Sequence, residues 1–199
     1  MATKGEMTKQ KIIDDAAKIF KKKGFGATSV NDLLSVTGVT KGNLYFHFSG
    51  KEAVGIAVLS RESERFMQFL DEALTGETPA ACLDNFFRAA LHKHQKTGFV
   101  GGCLFGNTAL EASDTFPVYA QMVSSVFNQW ISKIERKVAD AQALGDIRQD
   151  LSPEHLAQMV VATIEGGIMQ SRLQKTAEPM IKCLDTLRIV LELKLSTAH

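Results

Sequence analysis

An all-α fold is the expectation for this chain, and three features of the sequence lead to it. Apolar residues recur at helical spacing, as in Ile12, Ile13, Ala16, Ala17, Ile19 and Phe20. Helix-opening signals return along the whole length, at Thr78-Pro79, Pro117, Ser152-Pro153-Glu154 and Glu178-Pro179. The period-two alternation of strands is nearly absent, and there is no internal repeat or low-complexity linker. With 199 residues, the chain is long enough for a small module joined to a larger bundle.

Taken in order, the first helix carries the apolar face from Ile12 to Phe20 and is ended by Gly24. Thr28 is expected to cap a second, short helix, "SVNDLLSV", which stops near Gly38. The run "VTKGNLYFHF" (39–48) reads as a third short helix. Ser49 and Glu52 have the spacing of a capping box, so a fourth helix is expected from there to about Thr75, before Gly76. A fifth opens at Pro79 and ends by Gly98, and a sixth runs from Gly102–Cys103 to about Ser113. Pro117 opens a long seventh helix through "VYAQMVSSVFNQWISKIERKVADAQAL". The eighth opens at Ser152-Pro153-Glu154 and the ninth at Glu178-Pro179. Three small helices thus precede a larger bundle, giving domains at 1–50 and 51–199.

Composition narrows the class of protein. Hydrophobic residues make up 45% and charged residues 23%, as in soluble globular proteins. "MATKGEMTKQKII" has no uninterrupted apolar run of a signal peptide, and no segment has the length of a membrane span; "AQMVVATIEGGIMQ" is broken by Glu165. Cys82, Cys103 and Cys183 are sparse and distant, which argues against a disulfide framework or zinc site and suits a reducing cytoplasm. Charge is unevenly placed. Residues 1–51 hold nine lysines against four acids, whereas 52–199 hold 14 basic and 18 acidic residues. A basic front on a mildly acidic body points to a polyanion, a solvated lysine face being the alternative.

The second and third helices are separated by the tight break "TGV" (37–39), the pattern of a helix-turn-helix whose second helix enters the major groove. Thr40, Lys41 and Asn43 can present donors and acceptors to base edges. Gly42 removes a side chain where backbone and DNA approach closely. Leu44 and Phe48 turn inward, while Tyr45 and His47 reach for phosphates. Lys51 stands at a helix start, where the dipole disfavours a cation unless a phosphate lies nearby. The expected DNA-facing set is therefore Thr28, Ser29, Thr40, Lys41, Gly42, Asn43, Tyr45, His47 and Lys51.

The run "FKKKGFGATSVNDLLSVTGVTKGNLYFHFSGKEAV" (20–54) resembles the N-terminal domain of tetracycline-repressor (TetR) family regulators. It has the family's T-S/T-V, G-V-S/T-K-G-x-L-Y-x-H-F and terminal K-E elements. Leu34 and Thr37 depart from the pattern, standing where small alanines are usual, which implies different packing of the second helix. The resemblance is strong over about residues 8–60 and extends through the nine-helix layout. It implies a homodimer bound to a near-palindromic double-stranded DNA operator, usually as a repressor. Release would follow entry of a small-molecule effector into the C-terminal bundle, with no cofactor, metal or membrane involved.

For the dimer, the last two helices carry the stripes Leu156, Val160, Thr163, Gly167, Ser171 and Met180, Leu184, Leu187, Leu191. Two half-sites require two reading heads, which favours these as the seam over closure of the monomer's own core.

For the effector, "GFVGGCLFGNTALEAS" (98–113) places Cys103 at a helix N-terminus, where N–H groups and the dipole favour a thiolate. The G-C-L-x-G-N run followed by Glu111 is similar to a branch of the family in which the equivalent cysteine senses electrophiles or oxidants. The alternative is a small buried hydrophobe. Aromatic residues Phe66, Phe69, Phe86, Phe87, Phe105, Phe127 and Trp130 supply stock for a pocket or for ordinary core. Asn107, Glu111, Glu165 and Arg172 are polar groups that could orient a ligand. The expected ligand set is Phe66, Phe87, Cys103, Phe105, Asn107, Glu111, Phe127, Trp130, Glu165 and Arg172.

Two other classes compete with a DNA-binding regulator. An enzyme using Cys103 as nucleophile lacks an adjacent His or carboxylate in sequence. A helical adaptor would bind protein instead of DNA. "GFGATS" (24–29) is no phosphate loop, since it follows a helix and lacks the G-K-S/T ending.

Overall fold

A computed structural model describes residues 3–195. Among the described residues there are nine α-helices and no strand: α1 (Lys4–Lys23), α2 (Val30–Thr37), α3 (Lys41–His47), α4 (Lys51–Ala73), α5 (Pro79–Gln95), α6 (Leu104–Ala112), α7 (Pro117–Ala143), α8 (Pro153–Gln174) and α9 (Glu178–Leu191). The all-α expectation holds, and the proline signals mark real starts. Thr78 accepts from the Ala81 N–H at 3.1 Å with Pro79 at the first helical position, and Ser152 accepts from His155 N–H at 3.3 Å ahead of Pro153.

Local chemistry moves three boundaries. The first helix starts at Lys4, well before its apolar face, because Thr3 and Glu6 form a capping box. Ser29, not Thr28, caps α2: its hydroxyl accepts from Asp32 N–H at 3.1 Å while the Asp32 carboxylate accepts the Ser29 N–H at 2.7 Å. The fourth helix starts at Lys51, with the Gly50 carbonyl accepting from Val54 N–H, so Ser49 lies just outside it.

The described residues pack as two compact units. One comprises residues up to 65 together with 103–126, and the other comprises 66–102 together with the chain from 127 onward. The helices α4 and α7 contribute to both.

In the first unit, α1 packs on α2, burying Ile12, Ala16 and Phe20 with Leu33, Leu44, Phe48 and Val54. Phe25, in the turn after α1, meets Phe20, Phe116 and Tyr119 with ring centroids 5.4, 5.3 and 4.7 Å away. The Tyr119 hydroxyl donates to the Glu52 carbonyl at 3.0 Å, and burial followed by the Glu52 charge pushes its pKa well above that of a free phenol. That approach requires glycine at 55, because a Cβ there would lie 1.8 Å from the Tyr119 oxygen.

In the second unit, Leu83, Phe86 and Phe87 of α5 join Trp130, Ile134 and Val138 of α7 in the core. Buried Asp84 is held by Arg188 at 2.7 Å and Arg88 at 2.5 Å, the double pairing that a buried carboxylate needs. The α8–α9 contact takes up the two stripes that were expected at the dimer seam. Leu156, Val160, Gly167 and Ser171 on α8, and Met180, Leu184, Leu187 and Leu191 on α9, are buried within one chain. Thr163 is half-buried. The reason is close helix approach: a Cβ on Gly167 would lie 3.3 Å from Met180 Cα, and the Ser171 hydroxyl accepts from Met180 N–H at 3.0 Å. Both helices carry a second apolar face, which remains exposed: Ala162, Met169 and Leu173 on α8, and Ile181 and Ile189 on α9.

Candidate nucleic-acid interface

The two short helices α2 and α3 are joined by three residues, Gly38–Thr40. Gly38 caps α2 in the left-handed conformation (φ 68°), and its N–H donates to the Leu34 carbonyl at 2.9 Å. Thr40 then caps α3, its hydroxyl accepting from Asn43 N–H at 3.2 Å. A hydroxyl that accepts this bond still carries a proton to donate outward. Leu44 is buried, and Thr37, which departs from the alanine usual in the TetR pattern, is buried with its hydroxyl donating to Leu33 O at 2.7 Å. The hydroxyl added there is thus satisfied inside the helix.

The outward side of α3 is open. Lys41, Gly42, Asn43, Tyr45 and Phe46 are exposed, and His47 is half-buried. Among the described residues, the side chains of Lys41, Asn43 and Tyr45 have no hydrogen bond or ion pair. A cation, an amide and a phenol are therefore left to whatever meets this face. Ser29 is exposed at the start of α2, although its hydroxyl is engaged with Asp32, which pairs with Lys23 at 2.7 Å.

Two further residues of the expected DNA-facing set, Thr28 and Lys51, also have internal partners. Thr28 is 1% exposed and its hydroxyl donates to the Gly24 carbonyl at 2.5 Å, so it shapes the turn and its side chain is off the surface. Half-buried Lys51 donates to the carbonyls of Phe25 and Gly26 at 3.0 and 3.4 Å, with its ammonium 4.4 Å from the Phe25 ring centroid.

The same turn is held from its other side by Glu111. Phe25 N–H donates to Glu111 Oε2 at 2.9 Å, and Gly26 N–H to Oε1 at 2.5 Å. A Cβ on Gly24 or Gly26 would come within 2.9 Å of this carboxylate, so the two glycines make room for it. This corrects the ligand-orienting role expected of Glu111: both oxygens are taken by backbone N–H groups 86 and 85 residues away in sequence. No periodicity marks such a contact, although a carboxylate near the end of α6, where the helix dipole disfavours it, was a usable hint.

The remaining expected ligand residues divide between the units. Cys103, Phe105 and Asn107 lie in the first and Phe66, Phe87, Phe127, Trp130, Glu165 and Arg172 in the second. Cys103 is half-buried as the N-cap of α6, its sulfur accepting from Gly106 N–H at 3.5 Å. Asn107 borders a cavity of about 10 Å³ with Phe20, Phe25, Gly55, Glu111 and Tyr119, room for about one water. In the second unit, Trp130 meets Phe66 edge-on at 5.1 Å, Phe86 edge-on at 6.2 Å and Phe127 in a stack at 5.9 Å. Lys93 Nζ lies 4.0 Å from the Phe69 centroid. Phe86 completes this cluster and was absent from the expected set. Trp130 is 3% exposed, and among the described residues its Nε1–H has no acceptor. Such a donor is costly to bury unless something accepts from it. Glu165 and Arg172 are both half-buried on α8.

Residues 12–58 match the family model for bacterial regulatory proteins of the tetR family, and residues 79–187 match the tetracyclin repressor-like C-terminal domain. The chain is 28% identical over 174 residues to the HTH-type transcriptional repressor DhaR of Mycobacterium sp. (strain GP1), covering 86% of each protein. It is 28% identical over 181 residues to the transcriptional regulator AcuR of Cereibacter sphaeroides, covering 90% of this chain and 83% of that protein. A crystal structure of a TetR transcriptional regulator from Chloroflexus aurantiacus J-10-FL superposes with a TM-score of 0.87 at 28% identity, over 98% of this chain and 99% of that one. Another, of a regulatory protein TetR from Rhodobacter sphaeroides, gives 0.86 at 26% identity, over 91% and 97%.

Proposed function

The chain belongs to the tetR family of bacterial regulatory proteins, and we propose that it acts there as a repressor released from a palindromic operator by a small-molecule effector. It is a non-enzymatic transcriptional regulator that binds DNA through its helix-turn-helix, which sets aside a cysteine-based enzyme and a protein-only adaptor. The observation that carries the finer reading is the outward face of α3, where Lys41, Asn43 and Tyr45 stand uncommitted on a helix whose other side is locked by Leu44. Repression is supported by DhaR, described as a repressor.

DNA binding falls to residues 1–50, with Ser29, Thr40, Lys41, Gly42, Asn43, Tyr45 and His47 at the duplex; Lys51 acts from the edge. Effector binding and dimerisation fall to 51–199. A homodimer would use the exposed apolar faces of α8 and α9. The aromatic cluster around Trp130 suits an apolar effector carrying one hydrogen-bond acceptor, which would satisfy the indole N–H. Coupling to DNA would run through α6, whose Glu111 grips the turn leading into α2. Cys103 caps this same helix, so an electrophile that modified it would act on the same device. Among the described residues no helix is long and apolar enough to cross a membrane, and the proposed site of action, set by binding to bacterial DNA, is the cytoplasm.

Mobility shift against the DNA upstream of its own coding sequence tests the reading. Tight binding at low salt should weaken steeply as salt rises, and Lys41→Ala and Tyr45→Ala should each lose about tenfold or more. Binding unaffected by both substitutions would overturn the assignment of α3 as the reading helix.

A further inference from the structure

We propose that Phe46 is a specificity-determining residue that reads thymine 5-methyl groups in the major groove; the inference rests on the assignment of α3 as the reading helix. Eleven of the twelve phenylalanines are buried or half-buried, whereas Phe46 is 82% exposed. Its position on the helix matters more than its exposure, since single apolar side chains at a surface are ordinary. At about 100° per residue, positions two before and two after a buried residue lie roughly opposite it. Leu44 is the buried residue of α3, so Gly42 and Phe46 form the outermost line of the helix.

These two positions work together. Gly42 and Phe46 are four residues apart, one turn of the helix, so they are neighbours on that line. A Cβ at Gly42 would meet nothing within 4 Å, which leaves bare backbone beside the ring. The ring is steadied from behind by His47, edge-to-face with centroids 5.0 Å apart and planes at 83°. The result is a flat apolar projection beside a shallow notch, on the face that enters the groove. A phenyl group makes no hydrogen bond to base edges. The apolar group that the major groove offers it is the thymine methyl, which distinguishes T from the other bases. Lys41, Asn43 and Tyr45, flanking this line, carry the polar contacts.

The test compares two duplexes with the full-length protein. An operator is selected from a random-sequence pool by the wild-type chain and then resynthesised with deoxyuridine in place of thymidine, which removes only the methyls. Wild-type affinity should fall about fourfold per contacted methyl, or about 15-fold over two symmetric half-sites. Phe46→Ala should bind both duplexes equally and more weakly, and Phe46→Leu should keep part of the discrimination. Equal wild-type binding to both duplexes would overturn the inference and leave the reading helix standing. So would a Phe46→Ala protein with undiminished discrimination, because the methyls would then act through DNA shape. If the pool yields no operator at all, the reading-helix assignment fails and takes this inference with it.

Discussion

Glu111 fastens α6 to the turn after α1. Its two oxygens hold adjacent N–H groups in the turn after α1, and Lys51 holds the carbonyls of the same two residues, so the peptide groups there are gripped at both poles. Gly26 and Glu111 should therefore be coupled energetically. Glu111→Ala should cost about 1–3 kcal/mol, since two charge-assisted bonds are lost at a partly solvated site. Gly26→Ala should also destabilise, because its Cβ would sit 2.9 Å from Oε1, but much less so in the Glu111→Ala background. Denaturant melts of the two single variants and the double close the cycle, and additivity would dissolve the proposed clamp. A second residue adds to the acid sensitivity of the reading head. The Lys23 ammonium, then the Ser29 N–H and hydroxyl, hold Asp32 well below the usual carboxylate range. A folded pKa so depressed adds stability above the ordinary aspartate value of about 4, and that stability is lost as pH falls below it. Melting temperatures across pH 2 to 6 should drop less steeply for Asp32→Asn than for the wild type, with the variant already weaker at neutral pH.

At the scale of elements, α8 and α9 show how a helix with two apolar faces misleads a reading of its period. The stripe with the larger side chains was expected at the dimer seam, yet it closes the monomer around Gly167 and Ser171. The outer face is thinner and includes small residues: Ala162 and Gly166 beside Met169 and Leu173, which is 81% exposed. Periodicity identifies an apolar face but says nothing of what covers it. If the outer face is the seam, Leu173→Glu or Ile189→Glu should yield a folded monomer of reduced operator affinity, as read by sedimentation and circular dichroism. Leu187→Glu, which buries a charge inside the chain, should instead unfold the protein. A Leu173→Glu protein that remains a dimer would place the seam elsewhere.

At the scale of the whole chain, the compact units do not follow sequence order. Residues 103–126, which come after more than half of the chain, pack with the residues up to 65. The stretch proposed to bind effector and the reading head are thus interleaved by sequence, and α6 is part of the unit that it is proposed to control. Trp130, the single tryptophan, makes this measurable. An effector that accepts from its indole N–H should change Trp130 emission at the same concentration that releases operator DNA. Glu111→Ala should leave the emission change intact while weakening operator binding before effector is added. Parallel loss of both signals would mean that Glu111 acts on effector binding itself.

The fold was legible because its signals are local. Proline at a first helical turn, Gly38 after α2 and the apolar spacing of α1 act over a few residues, and the structure repeats them nearly at their expected places. The outward set of α3 was legible for the same reason, with Phe46 overlooked because an apolar residue among aromatics reads as core. Lys51 and Glu111 were incompletely read because their partners lie 25 to 86 residues away in sequence, whereas Thr28 bonds only four residues back, to Gly24. By itself the sequence determined nine helices, a helix-turn-helix and the family. The tertiary structure alone decided which apolar stripe is core, which polar groups face outward and where Glu111 is engaged, since a hydrogen bond spanning 86 residues leaves no periodic trace in the chain that makes it.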